Sequence, residues 1–212
     1  MLDLFINQKH VIMKKLFLLT VLAAGLFISS CNSGEKTADG TKVSDSSDSK
    51  KVAEERNDKK FEDSTIEDDS KFAVKAADGG MMEVELSKLA LTKSQSPEVK
   101  KFAQMIVTDH TTANEELKKL AGTKNISVPA AISTDKQEKL NDFMKKTGND
   151  FDKEYTSYMV SNHKDDISLF KKQAEKGKDA EVKAWAAGKL STLEQHLQMA
   201  QTTDDLVKNK KN

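Results

Sequence analysis

From residue 70 onward, apolar residues return every three or four positions, and almost nothing interrupts them. The chain has only 2 prolines and 9 glycines among 212 residues. The alternating β-branched pattern of a half-buried strand is absent. A repeat of three and four is the signature of one apolar stripe on an α-helix, so residues 70–212 are predicted to be all-α.

The punctuation divides this region into four long helices and one short one. The first runs over 70–95. The second starts at Ser96-Pro97-Glu98, where serine supplies a cap and proline occupies the first helical position, and it ends near Gly122. A loop at 123–133 holds Val128-Pro129. A short helix follows, with Thr134 and Gln137 in capping-box spacing, and Gly148-Asn149 breaks it. The third long helix covers 150–176, capped by Gly177, and the fourth covers 179–202. Four long helices joined by tight turns predict a four-helix bundle. A faint repeat supports two hairpins, because Glu98-Val99-Lys100 returns as Glu181-Val182-Lys183 and the same offset carries Glu83 to Asp166. The connection between hairpins, with its short extra helix, is long enough for a ferritin-like crossover; simple up-and-down connectivity is the alternative.

Upstream the chemistry changes. Met13-Lys14-Lys15 is a positive start, residues 16–28 are apolar, and Ser29-Ser30 precede Cys31, the only cysteine. This resembles the signal peptide of bacterial lipoproteins. The resemblance implies cleavage after residue 30, acylation of Cys31, and a protein held in the cell envelope by its lipid rather than by a spanning helix. Asn32 leans towards the outer membrane by analogy with lipoprotein sorting. With Cys31 acylated no thiol remains, so disulfides, cysteine-ligated zinc, iron–sulfur clusters and thiol nucleophiles are excluded. Residues 31–69 carry many charges and few apolar side chains, which predicts a disordered stalk, helical at most near its end. The charge balance, 34 basic against 34 acidic residues with Arg56 the sole arginine, argues against nucleic-acid binding. The sequence does not identify a protein partner.

Chemistry lies where polar groups interrupt the apolar seams. His110 holds a core position in the run Val99, Ala103, Ile106, His110, Ala113, Leu117. Glu83 sits among the small residues Ala76, Gly80, Ser87 and Ala90. Asp166 and His163 fall on or beside the face of the third long helix, and His196 lies at the edge of the fourth. Counted from the turns, Glu83 and His110 both lie about 20 Å down their hairpin, while His163, Asp166 and His196 fall at roughly 17–28 Å. Two readings follow. The five groups hydrogen-bond one another and pin the register of the bundle, or they ligate one transition-metal ion: zinc, iron, manganese or copper. Copper is suggested by Met159 four before His163 and Met199 three after His196; core packing is the plainer role for those methionines. No nucleophile triad, phosphate loop or dinucleotide fingerprint appears, so the chain reads as non-enzymatic, an envelope interaction or stress-related protein, with a metal-binding or metal-dependent redox protein as the alternative.

The pattern as a whole resembles the bacterial family called domain of unknown function 4142. The residues that carry it include Phe72-Ala73, Ala76-Ala77-Asp78-Gly79-Gly80, Glu83-Val84-Glu85-Leu86, Phe102-Ala103, Asp109-His110, Phe151-Asp152, Tyr155, His163 and His196-Leu197. The resemblance implies a ferritin-like fold in an exported protein, often a lipoprotein, and implies no reaction. Di-iron proteins of that fold place a glutamate three residues before histidine on two helices. Here those positions are Val107 and Leu193, which favours a mononuclear site.

Overall fold

The computed structural model describes residues 48–209; the leader, Cys31 and the segment up to residue 47 lie outside the described residues. Six helices and no strand make up the described residues: α1 (Ser49–Phe61), α2 (Glu67–Lys93), α3 (Pro97–Thr123), α4 (Thr134–Lys145), α5 (Gly148–Lys176) and α6 (Ala180–Asn209). None is long and apolar enough to cross a membrane. The helices α2 and α3 form one hairpin and α5 and α6 another, with α2 against α5 and α3 against α6. At the first turn the Ser96 hydroxyl accepts the Val99 amide at 3.3 Å, with Pro97 at the first helical position, as the local sequence requires.

The apolar interior is divided in two. One cluster gathers Met82, Leu86, Phe102, Phe143, Phe151, Tyr155 and Met159; the other gathers Phe72, Leu117, Ile167, Phe170, Val182 and Leu193. Burying one such phenylalanine contributes about 1.5–3 kcal/mol. On each long helix the change from one cluster to the other falls near a polar residue: Glu83 on α2, His110 on α3, His163 on α5 and His196 on α6. A layer of charge-bearing side chains therefore lies across the middle of the helices. Met82 and Met159 are fully buried in the first cluster, with Met105 and Met199 packed against it, so these methionines fill space there.

Four local expectations need correction. The stalk does not extend to residue 69, because residues 49–61 are helical. Asp48 caps α1 by accepting the amides of Lys50 (2.9 Å) and Lys51 (3.2 Å). Ala53, Asn57 and Phe61, four apart, form its one buried stripe. Asn57 completes a reciprocal pair with the loop after α3, donating to the Ser127 carbonyl at 2.8 Å and accepting the Ser127 amide at 2.7 Å. Second, Thr134 does not cap α4: the cap position is Ser133, whose amide and hydroxyl are both given to Asp78 on α2, at 2.8 and 2.9 Å. Third, Gly177 ends α5 but in ordinary extended backbone, φ −53°. Glycine is needed there for room, since a Cβ would lie 2.5 Å from Gln173 Nε2 and 2.7 Å from the Gln173 carbonyl. The space is filled by the Asp69 carboxylate, which accepts the amides of Lys178 (3.1 Å) and Asp179 (2.8 Å) and so ties the start of α2 to the α5–α6 turn. Fourth, α6 continues past residue 202. Val207 is buried in the first cluster, and Asp204 accepts the Thr156 hydroxyl at 2.8 Å.

Candidate metal centre

Three imidazoles meet in the polar layer. The ring centroids of His110, His163 and His196 are 5.2 to 5.5 Å apart, nearly an equilateral triangle. One ring nitrogen from each lies within 4.8 Å of the others. Each helix supplies its residue through the same logic: a position on the apolar stripe, occupied by a polar group at the level where the two clusters meet. His163 and His196, which the sequence pattern sets on a flank and an edge, are as deeply buried as His110, at 0 %, 2 % and 7 % exposure.

The outward nitrogens of these rings are taken up by the protein. His163 Nδ1 donates to the Met159 carbonyl at 2.9 Å. His196 Nε2 donates to Asp109 Oδ2 at 2.9 Å. His110 Nδ1 lies 2.8 Å from Glu83 Oε2, off the line of a good hydrogen bond, and His163 Nδ1 lies 3.2 Å from Glu83 Oε1. The nitrogens that remain are Nε2 of His110, Nε2 of His163 and Nδ1 of His196. Those of His110 and His196 face each other at 3.2 Å, and Nε2 of His163 is buried with no partner. An unpartnered buried polar atom costs about 1–3 kcal/mol, so its presence at this point asks for an explanation.

Charge in the layer is unevenly held. Burial alone would raise the Glu83 carboxyl, but the nearby charge of His110, then that of His163, outweighs it and keeps Glu83 well below the usual carboxylate range. Burial pushes His110 down, yet Glu83 beside it more than compensates and raises it. The same burial wins at His163, which is lowered, and at His196, which is brought to about 4 despite Asp109. The layer thus favours the charged forms of Glu83 and His110 and the neutral forms of His163 and His196; His110 gives up its proton if it binds a metal, since imidazole ligates in its neutral state. Asp166 is pushed well above its ordinary range, first by burial and then by the charge of Glu83. The Asn162 amide joins the two acids, donating to Glu83 Oε1 at 2.9 Å and to Asp166 Oδ2 at 3.3 Å.

Of the five residues the sequence singles out, the structure brings His110, His163 and His196 together, sets Glu83 against the first two, and links Asp166 to Glu83 through Asn162. Glu83 stands at the outer nitrogens of two rings rather than among the converging ones. Asp109 and Asn162 are the participants that sequence reasoning missed. Asp109 keeps 41 % exposure, so it lies off the apolar seam; its signals were the neighbouring His110 and its place in the Asp109-His110 pair of the family pattern. Beside the layer is a pocket of about 290 Å³ lined by Glu83, His110, His196 and Asp166 at one end and by Phe170 and Trp185 elsewhere.

A family model described as Domain of unknown function (DUF4142) matches residues 53–203. No curated protein and no solved structure matches the chain. The matched span runs from the middle of α1 into α6 and contains the whole polar layer, and on that span the chain belongs to the DUF4142 family.

Proposed function

We propose that this chain is a lipid-anchored protein of the cell envelope whose four long helices form a ferritin-like bundle around a single transition-metal ion. The ion is held by Nε2 of His110, Nε2 of His163 and Nδ1 of His196. The observation that carries the reading is the orphaned Nε2 of His163, fully buried and next to two rings whose outer nitrogens are already committed. Ligating histidines ordinarily give their second nitrogen to a carboxylate or a backbone carbonyl, and all three do so or approach one here. Metal–nitrogen bonds of 2.0–2.1 Å in a tetrahedral site put ligand nitrogens about 3.3 Å apart, close to the 3.2 Å between His110 and His196. In this reading Glu83 orients two imidazoles from behind, and Asp109 orients the third. An all-imidazole donor set suits zinc, copper or iron better than manganese, which prefers carboxylate and water. The anchor at Cys31 and the outer-membrane location rest on the sequence of the leader.

A second reading has one observation in its favour. Glu83, His110, His196 and Asp109 already form a continuous chain of contacts without any ion. A purely structural polar layer in a non-enzymatic interaction or stress-related protein would use it to fix the register of the helices. Thermal unfolding separates the two. With zinc, copper, iron(II) and manganese(II) added in turn, the metal reading expects a raised melting temperature for at least one ion, reversed by chelator and lost in His163→Ala. A flat response to all four, with no metal carried through purification, leaves the structural layer as the account.

A further inference from the structure

The three imidazoles do not surround the proposed ion evenly. His110 and His196 line the 290 Å³ pocket, whereas His163 is fully buried and takes no part in its wall. Two ligands thus reach the pocket, and the third closes the site from the core. Three protein donors leave a tetrahedral ion one position short. Asn114 stands one helical turn beyond His110 on α3 and also lines this pocket. Its amide lies against α2 only because residue 80 is glycine: a Cβ at Gly80 would come within 2.3 Å of Asn114 Oδ1.

We infer that the pocket is the entry to an exchangeable coordination position, at which the ion takes a small monodentate anion or water from solvent, with the Asn114 amide donating a hydrogen bond to it. The inference rests on the three-imidazole site proposed above. It makes the centre an open site of the kind used for ligand binding or chemistry, where a closed structural site would have a fourth protein donor. An imidazole carries no charge when it ligates, so a divalent ion keeps its positive charge towards the pocket, whose wall also holds Lys189 beside the carboxyls of Glu83, Asp109 and Asp166.

Cobalt(II) serves as the spectroscopic probe, added to the purified full chain and followed by its visible absorption while azide is titrated. The expected result is a cobalt spectrum that shifts saturably with azide. Asn114→Ala keeps the cobalt spectrum and binds azide roughly tenfold more weakly, the low end for losing a hydrogen bond to a charged group. Ala113→Phe fills the pocket without removing a ligand, and is expected to keep the cobalt spectrum and lose the azide response. Should Ala113→Phe fail to fold, Asn114→Ala carries the test alone. A cobalt spectrum indifferent to azide in the wild type overturns the open position and leaves the three-imidazole site standing. Unchanged azide affinity in Asn114→Ala overturns the assigned route. No cobalt spectrum at all overturns the site and the inference together.

Discussion

Glu83→Gln is the most informative single perturbation, because it removes one charge and almost no volume. Glu83 is fully buried and His110 nearly so, and the contact between them favours the charged form of each. Removing one partner of a buried pair costs about 3–5 kcal/mol when the other stays charged. His110 has an escape, since it can release its proton, and that makes the cost depend on pH. Its folded value is raised above the ordinary 6.5, so its contribution in the wild type is complete below pH 6.5 and is lost as pH rises through the folded value. In the variant, burial acts unopposed by Glu83 and lowers His110. The unfolded chain then binds the extra proton, at about 1.4 kcal/mol per pH unit below 6.5. Glu83 itself stays ionised throughout this range because its value is depressed. Urea unfolding followed by helical circular dichroism, with chelator present, should therefore show wild type and variant differing by about 3 kcal/mol near pH 6. The gap should narrow steadily towards pH 9. A difference below about 1 kcal/mol, or one that does not change with pH, refutes the ion-pair assignment.

Other expectations follow from particular contacts. Gly177→Ala should destabilise by about 1–3 kcal/mol in urea titrations, because its Cβ would strike the Gln173 carbonyl. Gly122→Ala, with nothing within 4 Å of the new Cβ, should instead gain up to about 1 kcal/mol; the opposite order would contradict the packing described. Asn57→Ala should cost about 2 kcal/mol and expose the Ser127 amide to rapid hydrogen exchange, since both of its bonds to the loop are lost; protection of that amide at wild-type level would show that α1 does not hold the loop. Cys31→Ser should abolish fatty-acid labelling of the chain in cells, and labelling that persists would remove the proposed anchor.

The all-helical class was legible because four long stripes at a spacing of three and four leave no other periodicity to satisfy. The helix starts were legible where the chemistry is local, as at Ser96-Pro97. What escaped depends on partners distant in sequence. The stripe of α1 consists of only three residues in a highly charged stretch, so composition hides it; Asn57 finds its partner seventy residues away at Ser127. The capping-box spacing points to Thr134, and only the distant Asp78, which takes the Ser133 amide and hydroxyl, shows why the helix starts from Ser133 instead. Within the layer, His110 and Glu83 interrupt their seams and announce themselves, whereas Asp109 and Asn162 sit on flanks where a polar side chain is unremarkable. Whether an acid touches the inner or the outer nitrogen of a ring cannot be read from a helical pattern at all, and that distinction is why the proposed site uses Glu83 to orient rings and not to ligate.

The internal repeat shows why the layer holds one cluster of imidazoles and not two. An offset of 83 residues sets Glu83 against Asp166, so each hairpin supplies one acid at an equivalent position. The histidines do not obey the offset: His110 maps onto Leu193, His163 onto Gly80, and His196 onto Ala113. A symmetric pair of sites would need both acids ionised, each beside its own imidazole. Here the Asn162 amide joins them, and a fully buried carboxyl and a partly buried one held by a single amide cannot both carry charge cheaply. The imidazoles decide which one does. Glu83 has two rings at contact distance and its charged form is favoured, while Asp166 has none, and burial and the charge of Glu83 push its carboxyl well above the ordinary range. The small residues left at the equivalent positions, Gly80 and Ala113, line the pocket instead. Loss of symmetry thus accounts for both halves of the site, with three imidazoles and one charge on one side and open space on the other.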